Sequence, residues 1–306
     1  MRRFNFEYCI LNNFPLSYHE PLFRPPSEAY SLILQPTIGC SWNRCAFCEM
    51  YTSKKFSIRD IAEVKAELRT LDPFKNDVRK VFLGDGNAMV LPTPYLLDLL
   101  AELRAAFPRL TRVSAYALPR DLLAKPFPEL AAIREAGLSL IYVGIESGDD
   151  EVLRMVNKGE TFTTTVKGLQ RSKKAGIRSS VMILTGLGGQ RYSEQHAVNS
   201  AGLVNAVQPE YLSTLVLSYP NGLEHFMRRF RGDFEPCSIS GLLAELKTFI
   251  GHTELEQTIF RSDHASNYLV LKGTLGRDRQ RMINEINAVL NDPSGAGLRP
   301  EWLRGL

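Results

Sequence analysis

Cys40, Cys45 and Cys48 crowd into the stretch "GCSWNRCAFCEM", in a chain that has five cysteines in all. Their spacing is C-x4-C-x2-C. Thiolates are soft ligands, and three on one loop suit a cubic iron–sulfur cluster, each binding a different iron and leaving the fourth iron open. An open iron takes a substrate or cofactor directly. The same residue types also suit structural zinc, which favours thiolates in tetrahedral sites, with Cys9 or His19 as the fourth ligand. The usual zinc pattern is two separated cysteine pairs rather than one triplet. An odd number of cysteines, three of them clustered, fits metal chemistry in a reducing compartment better than a disulfide framework.

Other stretches carry weaker signals of the same kind. "GDGNAM", Gly84 to Met89, sets two glycines around an acid, which lets backbone approach a polar ligand or simply makes a turn. In "VGIESGDDEVLRMVNKGE", Glu146 leaves an apolar run directly into a Ser-Gly turn, where a carboxylate is badly placed as core and well placed to accept hydrogen bonds. "ILTGLGG", Ile183 to Gly189, is again rich in glycine.

The elements that must position these residues follow from the hydrophobic rhythm. Six strand-length apolar runs are expected at "YSLILQPT" (30–37), "KVFLGD" (80–85), "TRVSAYA" (111–117), "LSLIYVGI" (138–145), "RSSVMILTG" (178–186) and "EYLSTLVL" (210–217). Helical patterns lie between them. Ser57 and Asp60 are expected to start the first helix, and Gly137 and Gly176 to stop later ones. Alternation of this sort implies an α/β fold with parallel strands, barrel-like or doubly wound. Either architecture presents ligands at the carboxyl ends of the strands, where the triplet, the "GDGNAM" loop, Glu146 and "ILTGLGG" all fall.

The four motifs "CSWNRCAFC", "GDGNA", "VGIESG" and "ILTGLGG", in this order, resemble the core of the radical S-adenosylmethionine superfamily. Its common triplet is C-x3-C-x2-C; here one residue more separates Cys40 from Cys45, as in members with a longer cluster loop. The resemblance implies a partial (βα)6 TIM-like barrel holding a [4Fe–4S] cluster on Cys40, Cys45 and Cys48, with S-adenosylmethionine chelating the open iron. It implies that Phe47 packs near the adenine, unless it is simply loop core. It also implies that Gly84, Asp85, Gly86 and Asn87 contact the methionine amino group, and that Glu146 contacts the cofactor. Lys158 would neutralise the cofactor carboxylate, the alternative being a solvated surface lysine. Reductive cleavage would give a 5′-deoxyadenosyl radical that abstracts hydrogen from a substrate, with a flavodoxin- or ferredoxin-type electron donor. A zinc-stabilised, non-catalytic α/β binding protein and a radical enzyme that modifies RNA stand as alternatives.

The chain of 306 residues has 44% hydrophobic and 23% charged residues, the composition of a globular protein. Its net charge of +4 is spread without a basic run, which argues against nucleic acid. No apolar segment is long enough for a membrane helix, so a cytoplasmic protein is expected. Residues 1–29 read as an N-terminal extension, 30–218 as the core and 219–306 as a mainly helical extension packed on it. Cys9 and Cys237 are too few for a second cysteine-ligated cluster. Within "FRSDHASNYLVLKGTL", Arg261, Asp263, His264 and Asn267 form a polar group in which Arg261 is a candidate for an acidic substrate group and His264 for proton transfer. The structural alternative is that these residues tie the extension to the core. Similar "HASNY" segments occur in radical enzymes; the substrate is not legible.

Overall fold

The computed structural model describes residues 15–292 and 297–304. The chain forms two compact units that alternate along the sequence. One comprises the described part of Met1–Asn43 with Cys48–Tyr142 and Gln170–Arg178; the other comprises Arg44–Phe47, Val143–Leu169 and the described part of Ser179–Leu306.

In chain order the elements are β1 (Leu32–Leu34), β2 (Thr37–Ile38), β3 (Ser57–Ile58), α1 (Ile61–Thr70), β4 (Lys80–Leu83), α2 (Thr93–Ala106), β5 (Arg112–Tyr116), α3 (Pro119–Ala124), α4 (Phe127–Glu135) and β6 (Leu138–Glu146). They continue with α5 (Asp150–Met155), α6 (Phe162–Lys174), β7 (Arg178–Thr185), α7 (Gly189–Val207), β8 (Tyr211–Val216), α8 (Leu223–Arg229), α9 (Ile239–Gly251), β9 (Ile259–Ser262), β10 (Leu271–Thr274) and α10 (Leu275–Asn291).

In the first unit the strand order is β1-β4-β5-β6, all parallel, with Leu32, Ile33 and Leu34 facing Val81, Phe82 and Leu83. Those six side chains are buried, the continuous apolar pattern of strands covered on both faces. In the second unit β7 and β8 are parallel, β9 joins β8 in parallel, and β10 returns antiparallel to β9. The α/β alternation expected from the sequence is the one observed. Gly137 and Gly176 take φ of 122° and 79° just after α4 and α6, a conformation that other residues rarely adopt.

Three local expectations are corrected. Asp60 alone caps α1, its carboxylate accepting from Ala62 N at 2.8 Å, while Ser57 lies in β3, paired antiparallel with β2. The first strand stops at Leu34, because Gln35 turns into side-chain hydrogen bonds and Pro36 has no donor for a ladder. The extension expected to be mainly helical at 219–306 also carries strands: α9 ends at Gly251, and the segment after it forms the β9–β10 hairpin.

Candidate active site

In the first unit, β2 is followed by Gly39, whose φ of 73° turns the chain into Cys40. The "GDGN" loop following β4 is built to hold that turn. Gly86 N donates to Gly39 O at 2.9 Å, and a Cβ on Gly86 would fall 2.4 Å from Cβ of Cys40, so only glycine fits. Asp85 is fully buried with a φ of 59°. Its Oδ2 accepts from Gly39 N at 2.7 Å and Lys54 Nζ at 2.8 Å, and its Oδ1 accepts from Gln35 Nε2 at 3.0 Å. Asn87 accepts from Ser41 N at 3.0 Å and donates to Asp121 at 2.7 Å. The side chains of Asp85 and Asn87 are thus spent on the cysteine loop; what remains to approach a ligand is the loop's main chain. Tyr51, three residues after Cys48, keeps a buried hydroxyl with no hydrogen-bond partner, and burial pushes its ionisation far up. Trp42 stacks under the guanidinium of Arg120 at 4.3 Å.

In the second unit, Arg44–Phe47 carries Cys45. Ala46 N donates to Val156 O at 2.8 Å, Asn157 Nδ2 to Arg44 O at 3.1 Å, and Arg229 Nη2 to Cys45 O at 2.8 Å. Phe47 packs on an apolar cluster that includes Val152, Leu184, Leu217 and Phe226. The ammonium of Lys158 lies 5.7 Å from the centre of the Phe47 ring and donates to Glu146 Oε1 at 3.2 Å. Lys158 is therefore not a solvated surface lysine: its side chain is 6% exposed. Glu146 ends β6 at a φ of 69°, and its Oε2 is buried without a hydrogen-bond partner. Burial raises the pKa of Glu146, and the nearby Lys158 only partly offsets this. Gly144 makes the space, since a Cβ there would sit 2.0 Å from Glu146 Oε1.

The sequence model of the Radical SAM superfamily matches residues 34–201, more than half of the chain. The chain belongs to that superfamily. It is 23% identical over 145 residues to the heme chaperone HemW of Bacillus subtilis, covering 46% of this chain and 38% of that protein. It is 25% identical over 262 residues to the mitochondrial radical S-adenosyl methionine domain-containing protein 1 of Mus musculus, covering 81% of this chain and 57% of that one. The chain thus spans well under two thirds of either relative. Among solved structures, coproporphyrinogen III oxidase (HemN) from Escherichia coli, a radical SAM enzyme, aligns with a TM-score of 0.57 at 19% identity over 72% of this chain and 51% of its own.

The radical SAM fold is α/β with a partial TIM barrel, its members bind a [4Fe–4S] cluster and S-adenosylmethionine, and they need an electron donor. Membership of that superfamily supports radical-generating catalysis in general. The residues present suit those groups. Cys40, Cys45 and Cys48 are half-buried thiols, and Glu146 has an unpartnered acceptor oxygen. Among the described residues no three His, Cys, Asp or Glu side chains gather tightly enough for a single ion. Cys9 lies outside the described residues, and the main chain of His19 is bonded to Gln35.

The polar group near the C-terminus divides. Asn267 is buried, donating to Thr214 O and accepting from Val216 N, so it clamps the end of β8. His264 bonds to Ser266, Asp263 pairs with Lys272, and Arg261 points outward from β9, exposed between two buried neighbours. Burial and then Arg299 lower the pKa of His264. Neither Arg261 nor His264 lines the pocket of about 450 Å³ that opens in this unit beyond β7 and β8. Its walls include Leu217, Tyr219, Cys237 and Tyr268. Leu217 and Tyr219 also belong to the apolar cluster on which Phe47 packs.

Lys54, Gln35, Tyr51 and His196 were missed in the sequence. A lysine next to another lysine, or a histidine inside a mixed helix, gives no local signal of burial. Among the described residues no helix is long and apolar enough to cross a membrane.

Proposed function

We propose that Cys40, Cys45 and Cys48 hold a [4Fe–4S] cluster through three irons and that S-adenosylmethionine binds at the fourth. When bound, a reduced cluster would supply one electron to the sulfonium of S-adenosylmethionine, breaking its carbon–sulfur bond to give methionine and a hydrogen-abstracting 5′-deoxyadenosyl radical. The chain's own residues do the positioning. Glu146 Oε2 accepts a hydrogen bond from a hydroxyl or amino group of the cofactor, and Phe47 packs against its adenine. Lys158 holds the other oxygen of Glu146 and adds positive charge near the cofactor carboxylate. The main chain of Gly84, Asp85, Gly86 and Asn87 faces the methionine end. The substrate occupies the pocket beyond β7 and β8, whose lining joins Leu217, Tyr219 and Leu242 to the charged Glu301 and Arg304. A flavodoxin- or ferredoxin-type protein supplies the electron, in the cytoplasm.

The observation that carries this reading is Glu146: a buried carboxylate on left-handed backbone, bonded to the Lys158 ammonium that lies 5.7 Å from the Phe47 ring, with one oxygen unpartnered. Such a group is costly unless a ligand completes it. The test is anaerobic reconstitution with iron and sulfide, reduction with dithionite, addition of S-adenosylmethionine, and chromatography. 5′-Deoxyadenosine and methionine are expected from the wild type and not from Cys45→Ala. Zinc as the sole bound metal, with no iron or sulfide retained, would refute the reading.

A further inference from the structure

The turn that follows Glu146 is gripped by one face of α7. The imidazole of His196 is buried, with Nε2 3.0 Å from Leu184 O and Nδ1 2.7 Å from Ser147 Oγ. A carbonyl only accepts, so Nε2 carries a proton, and in the neutral ring Nδ1 accepts from the Ser147 hydroxyl. Ser147 Oγ in turn accepts from Asp149 N at 3.0 Å. One turn along α7, Ser200 Oγ accepts from Gly148 N at 2.8 Å, and Asn199 Nδ2 donates to Asp149 Oδ2 at 2.6 Å. Gln195 adds a second donor to the same oxygen at 3.2 Å. Gly148 is pressed so close that a Cβ would fall 2.2 Å from Asn199 O. Residues 195, 196, 199 and 200 share one helical face, the spacing needed to grip a single turn.

Two features make this more than helix packing. Glu146 adopts φ of 69° without being glycine, a state that persists only where the surroundings dictate it. Ser147 is the first residue after it with a side-chain anchor, and that anchor is His196. The imidazole is fixed from its far side as well. Its Nε2 is 3.6 Å from Glu245 Oε1, and Glu245 accepts from Gly186 N and Ser193 Oγ, both at 2.6 Å.

We propose that His196 is a positioning residue for the cofactor site: through Ser147 it holds Glu146 in its left-handed conformation, so that Oε2 is presented to a hydrogen-bond-donating group of S-adenosylmethionine. This rests on the cofactor reading above. His196 touches no reacting atom; it fixes the acceptor before the ligand arrives, and so acts on affinity.

The test measures equilibrium S-adenosylmethionine binding to the reconstituted protein by dialysis, alongside thermal melting, for wild type, His196→Ala, Ser147→Ala, the double variant and Thr258→Val. Thr258 makes a buried hydrogen bond to Pro209 O at 2.6 Å elsewhere in this unit and serves as a control for lost stability. His196→Ala and Ser147→Ala should each weaken binding about tenfold. The double variant should be no weaker than either single one, since the two residues act as a unit. Thr258→Val should melt earlier with affinity unchanged within about twofold. If His196→Ala does not fold, Ser147→Ala, which removes one hydroxyl, decides. Wild-type affinity in the folded variants, or strictly additive losses, would overturn the proposal and leave a structural clamp. If wild type holds the cluster and binds no S-adenosylmethionine, the cofactor reading itself falls and takes this proposal with it, a result distinct from the other two.

Discussion

Asp85 and Glu146 are built alike and finished differently. Each is a buried acid just past a strand or at its end, each has a positive φ, and each meets a buried lysine: Lys54 at 2.8 Å and Lys158 at 3.2 Å. Around Asp85 both oxygens are used, by Gly39 N, Lys54 and Gln35. Around Glu146 one oxygen is used and the other is buried without a partner. The lesson is that a strained, buried carboxylate in a loop at the sheet's mouth marks function only when its hydrogen-bond accounting is incomplete. Asp85 shapes the loop that presents Cys40; Glu146 keeps one acceptor oxygen unpartnered, the basis of the proposal that it meets the cofactor.

The largest effect should come from removing Asp85. Asp85→Ala leaves Lys54 charged and buried, and strands two donors, for a loss of about 3–5 kcal/mol in urea unfolding. A loss below about 1 kcal/mol would mean that the network is not structural. Next, Gly144→Ala should cost about 1–3 kcal/mol, because the new methyl meets the Glu146 carboxylate. The same substitution in a Glu146→Ala background should cost much less, and equal costs in both would place the clash elsewhere.

The third prediction concerns pH. The Glu146 pKa is raised above 4.5 in the folded protein, so the fold binds that proton more tightly than the unfolded chain does. The stabilisation is fully present below about pH 4.5 and is lost as pH rises through the folded value. Glu146→Gln, which mimics the neutral acid, should therefore gain stability relative to wild type as pH rises through that window. A difference that stays flat would show Lys158 fully compensating the charge. The smallest effect is expected at Tyr51, whose hydroxyl is one of the buried unpartnered groups of the first unit. Tyr51→Phe should change the stability of the ligand-free protein by no more than about 1 kcal/mol, with either sign, since an unmade bond is not lost. A larger loss would reveal a partner for the hydroxyl.

Much of this was legible in the sequence. The strand and helix alternation, the cysteine triplet and Glu146 all advertise themselves locally, through hydrophobic period, spacing and an acid placed after an apolar run. What was not legible depends on distant partners. The "GDGN" loop reads as a ligand contact, but nothing local signals that Gln35 and Lys54, far away in the sequence, bond to the Asp85 carboxylate. Lys54 is buried while adjacent Lys55 is exposed, a distinction set by Asp85 and not by "SKKFS". Strand β9 was masked by its polar residues, because Phe260 and Ser262 are buried while Ile259 and Arg261 face outward. His196 sits in a helix whose sequence says nothing of the turn it holds.

The most direct test of the contrast between the two acids is S-adenosylmethionine binding to the reduced, reconstituted cluster, followed by electron paramagnetic resonance in wild type and Glu146→Ala. The account predicts a wild-type spectrum that shifts on adding S-adenosylmethionine, and an intact cluster in the variant whose shift needs at least about tenfold more of it. Equal titrations in the two proteins would contradict the assignment of Glu146 to the ligand.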